Sequence, residues 1–436
     1  MRSPKERVDY GKSRRDHVSR VSQAELLPKE RKFAPLQVLA SSNEGRVNQL
    51  LPVKYKRMSL GPFAFFRGAV SIMAADLARL PHSGLTSQLC GDAHVQNLGS
   101  FATPDGRLVF DYNDFDETIA GPWEWDVKRM AASIVLAGRE ANHRRGSCSS
   151  AAQAFVARYC QFMAEFAHQP VLQVARHQIH RQKSVEPIHA ALLQSERMTT
   201  AGMLKKFTEI GARKERRFRK VDTVFWPIRG VKRREILEAL TLYRDSLGPE
   251  RLRMFDLFRP VDTGFKVVGT GSVGLRDYVV LLEGNTPEDF LFLQVKQEVP
   301  SAYSRYLPKM VYEHEGRRVV EGQRAIQPMS DLLLGWTSLG GHQFLVRQLN
   351  DHKGAIEIEK LQGSGLQSLA AVAGELMARG HARSGDALEI YGYCGSGTKL
   401  ARAVGSFAQA YADQTEADYK EFMAAIKAGK IKIAGD

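Results

Sequence analysis

The chain has 436 residues, 43% hydrophobic and 25% charged, a balance that excludes a fibrous or disordered polymer and leaves room for two or three domains or two lobes around a cleft. Lys and Arg outnumber Asp and Glu by 62 to 48, for a formal net charge of +14, which favours anionic partners without choosing among nucleotide, nucleic acid and acidic lipid. Cys90, Cys148, Cys160 and Cys394 include no CxxC pair and read as reduced thiols, and with neither a signal-peptide core near the basic start nor a run of membrane-spanning length, the expected location is cytoplasmic.

Residues 1–59, punctuated by Pro28, Pro35 and Pro52, read as an irregular wrapping arm. GPFAFFRGAVSIMAADLARL follows, with Phe63, Phe66, Ala69, Ile72, Met73 and Leu77 near helical spacing, and predicts one buried helix. Arg67 is the odd residue in it and reads as a structural ion pair, with a phosphate or carboxylate site as the alternative. From Leu85 short apolar runs are broken by Gly, Asp and Asn, and Pro104-Asp105-Gly106 predicts a turn before the strand RLVFDY.

From Trp123 to about Leu247 the pattern reads as helical throughout. The crowd of basic residues between Arg213 and Arg234 reads as a solvated helix face before an anion-binding patch. From Phe265, GFKVVGTGSVGLRDYVVLLEG, DFLFLQVKQE, MSDLLLGWTSL and HQFLVRQL predict a small antiparallel sheet interrupted by one helix, HEGRRVVEGQRAIQ; the tail returns to helices. His168, His177 and His180 have no companion ligands, and His381, Arg383 and Asp386 read as a capped helix terminus.

Two clusters carry chemistry. CGDAHVQNLG and RLVFDYNDFDE gather Asp92, Asn97, Asp111, Asp114, Asp116 and Glu117 around a predicted hairpin. Such crowded carboxylates repel unless a cation neutralises them, and oxygen-only donors suit Mg²⁺. The second cluster, Gly269-Thr270-Gly271-Ser272-Val273-Gly274, is a GxGxxG set between two predicted strands, which favours a phosphate-covering hairpin over a dinucleotide-binding turn. Lys296 closes an apolar strand and needs an anionic partner, for which Glu321 on the following helix and phosphate oxygens are the candidates.

GxGxxG, strand Lys and helix Glu in that order resemble the small lobe of protein kinases and aminoglycoside phosphotransferases. GDAHVQN is similar to the phosphotransferase loop GDxHxxN, and NDFDETIAGPWEWD to that family's metal-binding Asp, turn Gly and helix-start Asp. The resemblance implies Asp92 as catalytic base, Asn97 and Asp114 as Mg²⁺ ligands with Asp111 an alternative, and Asp126 as a loop brace. It also implies ATP held under Gly269, Thr270, Gly271, Ser272 and Gly274 and oriented by Lys296 with Glu321. Cys90 stands where the phosphotransferases commonly have His, and the catalytic loop precedes the glycine-rich lobe, an order that a circular permutation explains. From GPFAFFRG to HARSGD the chain also resembles a bacterial family of unknown function, DUF2252.

The expected fold is therefore α+β: a protein-kinase-like two-lobed fold, circularly permuted, with a small antiparallel sheet lobe and a larger, mainly helical one. Its divisions are an N-terminal arm and helical segment (1–84), a catalytic-loop and helical lobe (85–250), a nucleotide-binding sheet lobe (251–360) and C-terminal helices completing the helical lobe (361–436). The expected activity is ATP- and Mg²⁺-dependent phosphotransfer to a small-molecule or protein hydroxyl. Nucleotidyl (AMP) transfer, an ATP-binding regulator without turnover, and a nucleic-acid-binding protein using the basic stretch are the alternatives.

Overall fold

Helices Trp123–Glu140, Arg145–Ala167, Gly365–Ser384, Ala387–Cys394 and Thr398–Lys427 pool their apolar faces in the largest core of the computed structural model, which describes residues 2–26, 31–178, 185–197, 200–212, 214–267, 271–307, 310–349 and 353–435. Trp123–Glu140 is buried from Trp123 to Gly138. Trp123 stacks on Tyr159 at 5.4 Å and meets Tyr393 edge-on, so helices distant in sequence share one aromatic centre. The fold is α+β with antiparallel sheets.

The first 59 residues are more regular than their prolines suggest. Pro4–His17, Pro35–Ser41 and Leu51–Met58 are helices that each carry proline in the first turn, where a missing N–H breaks no hydrogen bond. The predicted single helix around Arg67 is two, Pro62–Gly68 and Val70–Leu77, parted at Ala69, whose ψ of 35° leaves the helical region.

A six-stranded antiparallel sheet runs in the order Gly335–Leu339, His342–Gln348, Phe290–Glu298, Asp277–Glu283, Arg259–Lys266, Phe225–Pro227. Strand periodicity assigns its faces: Tyr278, Val280, Leu282, Leu293 and Val295 meet Ile236, Leu240 and Tyr243 of helix Gly230–Asp245, while Val279, Leu281, Phe290 and Phe292 meet Phe207, Phe218 and Phe225. The sheet's core thus draws on residues well before 251. The stretch read as helical throughout contains the hairpin Thr208–Ile210/Arg216–Phe218 and the edge strand Phe225–Pro227, held by aromatic contacts such as Trp226 stacked on Phe265 at 4.8 Å. Its basic side chains are spread over these elements and several pair locally, Arg217 with Glu209, Arg229 with Asp262 and Lys232 with Glu235.

Two smaller sheets carry the acid-rich region: Thr86–Leu89 with Ile119–Pro122, and Leu98–Ala102 between Leu108–Tyr112 and Lys353–Ala355. The turn at Pro104-Asp105-Gly106 closes through Gly106 N–H to Thr103 O. Helix Glu315–Ile326 links the two parts of the molecule, since Val319, Val320 and Ile326 enter the helical core while the helix packs on strand His342–Gln348. Among the described residues no helix is long and apolar enough to cross a membrane.

Candidate functional site

The loop after Thr86–Leu89 is built to hold Asp92 still. Gly91 has φ +85°, and a Cβ there would lie 2.1 Å from Glu117 O, so only glycine makes this turn. Asp126, in the first turn of Trp123–Glu140, accepts from Cys90 N–H at 2.6 Å and Gly91 N–H at 2.9 Å. Asn97 Nδ2 donates to Asp92 O at 2.7 Å, and Val95 N–H to Ser133 Oγ at 2.9 Å. The Asp92 carboxylate takes Arg129 Nε at 2.8 Å and Arg129 Nη2, both on Oδ1. Arg129 is itself fully buried, its guanidinium over the Phe66 ring. His94 lies with Nε2 3.7 Å from Asp92 Oδ2; burial drives its pKa down to about 3 against the pull of Asp92 and with the help of Arg67 and Arg129, so the ring is neutral.

Lys296 reaches the same region from the sheet. Its side chain is 4% exposed, and Nζ contacts Asp116 Oδ1 at 2.5 Å and Asp114 Oδ1 at 3.6 Å. Burial alone would lower the ammonium's pKa, but Asp114, Asp116 and Glu298 outweigh it and hold the group charged, above its ordinary value. Burial likewise acts to raise Asp116, and here the charge of Lys296 wins, with hydrogen bonds from Asp114, Lys296 and Ser272, so this carboxyl falls well below the usual range. Asp114 is pushed up by burial and by Asp116, and Glu298 further up by burial and the same neighbour. One ammonium therefore faces three carboxyl groups.

The glycine turn closes over this cluster. Gly269 and Thr270 lie outside the described residues; Ser272 Oγ donates to Asp116 Oδ2 at 2.7 Å. Gly274 has φ +94° and its carbonyl accepts from Val47 N–H at 2.7 Å, while Arg46 Nη1 donates to Val273 O at 2.6 Å. The N-terminal segment thus pins the turn.

These parts line one cavity of about 1290 Å³, to which Asp92, Asn97, Asp114, Gly271, Ser272 and Lys296 all contribute. Asp114 Oδ1 is buried without a hydrogen-bond partner, and Asn97 spends its amide nitrogen on Asp92 O, leaving an oxygen as its acceptor. Two hard oxygen donors beside surplus acid fit Mg²⁺, which commonly takes one or two protein oxygens and keeps water or phosphate for the rest. Among the described residues no cluster of three or more His, Cys, Asp or Glu forms a metal cage.

Three expectations need correction. Asp111 is not a second metal-ligand candidate of this cavity: its strand position turns it to the other side, where Arg379 Nη2 donates to it at 2.6 Å. Glu321 does not partner Lys296, because helix Glu315–Ile326 buries the face bearing Arg318, Val319 and Gln323, leaving Glu321 on the solvent side with Arg317 at 2.7 Å. Arg67 forms no ion pair among the described residues and lines the cavity instead.

In the sequence Asp116 stands out only as a member of the acidic cluster, and Glu298, Arg129 and Arg318 carry no reading. Glu298 was accessible, since Gln294, Lys296 and Glu298 share one face of a strand. Arg318 was not: it binds the carbonyls of Asp116, Thr118 and Val299, tying the helix to the acidic loop through contacts that only the tertiary fold creates. Of the other groups weighed, His177 pairs with Glu375, and Asp386 caps Ala387–Cys394.

Comparison of the chain with curated proteins returned no match, and neither did comparison with solved structures. A family model, described as an uncharacterized protein conserved in bacteria, matches residues 46–425, from the arginine that clamps the glycine turn to the last long helix. A match of that extent takes in every residue of the cavity wall discussed above, and the chain belongs to the DUF2252 family.

Proposed function

We propose that this cavity binds ATP with Mg²⁺ and transfers the terminal phosphoryl group to a hydroxyl acceptor, in a kinase-like arrangement whose two lobes occur in permuted order. The observation that carries the reading is that Asp92 and Lys296, far apart in the chain, line one cavity together with Asn97, Asp114 and Gly271 and Ser272 of the glycine turn. Lys296, kept charged by its carboxylate neighbours, would orient the phosphates, and the turn would cover them. Asn97 and Asp114 would hold the metal, which when bound offsets charge on the transferring group.

Asp92 has Oδ1 fixed by Arg129, which leaves Oδ2 to align the acceptor hydroxyl. As the acceptor oxygen bonds to phosphorus and the bond to ADP breaks, the hydroxyl proton passes to Oδ2. A carboxylate is a weak base, so positioning is its larger contribution in a loose transition state.

The test is ATP consumption by the full chain with and without Mg²⁺ across a panel of hydroxyl acceptors, with products weighed by mass spectrometry. ADP and a phosphorylated acceptor are expected. AMP joined to the acceptor with release of pyrophosphate would replace phosphotransfer by nucleotidyl transfer, and failure to bind or consume ATP·Mg²⁺ would overturn the reading.

A further inference from the structure

We infer, building on that reading, that the N-terminal wall of the cavity is the acceptor's subsite and binds an oxyanion, a phosphate or carboxylate group that the acceptor carries. Arg46, Lys54 and Arg67 line this wall. Most buried cations elsewhere hold a carboxylate: Arg31 has Asp76 and Asp418, Arg129 has Asp92, Arg318 has Glu315, Arg379 has Asp111, and Lys296 has Asp116, while Lys128 lies over the Phe407 ring. On this wall Lys54 is buried and Arg46 and Arg67 are half-buried, and none of the three has such a contact among the described residues.

Lys54 is the sharpest case. It is 1% exposed, and its Nζ, with three hydrogens to give, donates to Asn43 Oδ1 at 2.8 Å. Arg46 spends Nε and Nη1 on the neutral carbonyls of Ser42 and Val273. Arg67 Nε is buried with no acceptor, and the carboxylate that acts on it most strongly, Asp92, is already engaged by Arg129. Burial pushes all three groups below their ordinary pKa values. A buried cation without a counter-charge is costly, and an arriving oxyanion supplies both the charge and the missing acceptors.

Two observations tie the subsite to the acceptor. The cavity, at about 1290 Å³, exceeds the roughly 300–1,000 Å³ that encloses one drug-sized ligand, which leaves space beside a nucleotide. Arg67 is also within electrostatic reach of Asp92 and Asp114, so an anion held there brings the rest of its molecule to the carboxylate that would align the hydroxyl. The same wall disfavours polycationic acceptors.

The experiment titrates inorganic phosphate and ATP·Mg²⁺, separately and together, into the wild-type chain and the variants Lys54→Met and Arg67→Gln, reading heat of binding and thermal midpoint. Phosphate is expected to bind with ATP·Mg²⁺ already saturating. Each substitution should weaken phosphate about tenfold or more, the loss of one charge-assisted hydrogen bond, and leave ATP·Mg²⁺ affinity unchanged. Lys54→Met should also raise the midpoint without ligand, because it removes an unpaired buried charge, which shows that the variant folds. Competition between phosphate and ATP·Mg²⁺ would assign the three cations to the nucleotide's own phosphates and overturn the proposal, as would unchanged phosphate affinity in both variants. Variant-sensitive phosphate binding by a chain that ignores ATP·Mg²⁺ would support the anion subsite while removing the nucleotide reading.

Discussion

Asp92 and Asp111 come from the same acid-rich stretch, Asp92 half-buried and Asp111 buried, and each is held by an arginine that is itself sealed from solvent. They differ in what lies beyond the pair. Asp111 sits on strand Leu108–Tyr112, takes Arg379 Nη2 and Tyr112 N–H on the same oxygen, and faces a void of about 10 Å³, too small for more than about one water. Asp92 has one oxygen committed to Arg129 and a side chain 18% exposed onto the large cavity. An ion pair with a sealed arginine therefore does not separate the two aspartates; a free oxygen facing usable volume does.

The largest effect that would break this comparison is on turnover. Asp92→Asn keeps an acceptor for Arg129 but removes the base, and is expected to lower Mg²⁺-dependent ATP turnover by roughly 10²–10⁴-fold with nucleotide binding retained. Equal turnover would take Asp92 out of the mechanism. Asp111→Ala should act the other way round, lowering stability by about 3–5 kcal/mol in urea unfolding because Arg379 is left buried and unpaired, while the folded fraction keeps its turnover. Adding Arg379→Met to Asp111→Leu should restore most of the loss, since an apolar pair carries no stranded charge.

The contrast also marks what could be read from the residues in advance. Strand Phe290–Glu298, helix Glu315–Ile326 and the turn before RLVFDY follow from period and turn chemistry, and structure and expectation agree there. Period alone missed Thr208–Ile210, Arg216–Phe218 and Phe225–Pro227, because three-residue strands are too short to show alternation and owe their order to aromatic partners on other elements. The acidic cluster was legible as a cluster, but the choice among its members was not. Asp111, Asp114 and Asp116 are separated by strand facing and by which cation arrives from a distant segment, and no local pattern encodes either.

A third aspartate, Asp277, has neither an arginine nor a cavity and sharpens the comparison through pH. Gln294 Nε2 donates to Oδ2 at 2.7 Å, Oδ1 has no partner, and burial lifts the pKa to about 6 despite the opposing charge of Lys266. The native state thus binds this proton more tightly than the unfolded chain, so its contribution to stability is complete below about pH 4 and is lost as pH rises through 6. Two pKa units correspond to about 3 kcal/mol. Unfolding curves from pH 4 to 8 should show wild type losing up to that amount relative to Asp277→Asn, and parallel curves would show that the site is better solvated than its burial implies.

The smallest expected effect tests the helix. If Lys296 depended on Glu321, as a kinase-like order of motifs suggests, Glu321→Ala would leave a buried ammonium short of a partner and damage both folding and turnover. In the structure Glu321 instead pairs with Arg317 one turn away, both side chains about half exposed, while Asp116 and Asp114 serve Lys296. A solvated pair at this spacing contributes little. Glu321→Ala should therefore barely shift stability and leave turnover at the wild-type rate, whereas Arg318→Met, one turn earlier, should disturb the acidic loop, whose Asp116 and Thr118 carbonyls it holds together with that of Val299. A large loss from Glu321→Ala would mean that the helix rotates to bring this carboxylate to Lys296 during the catalytic cycle.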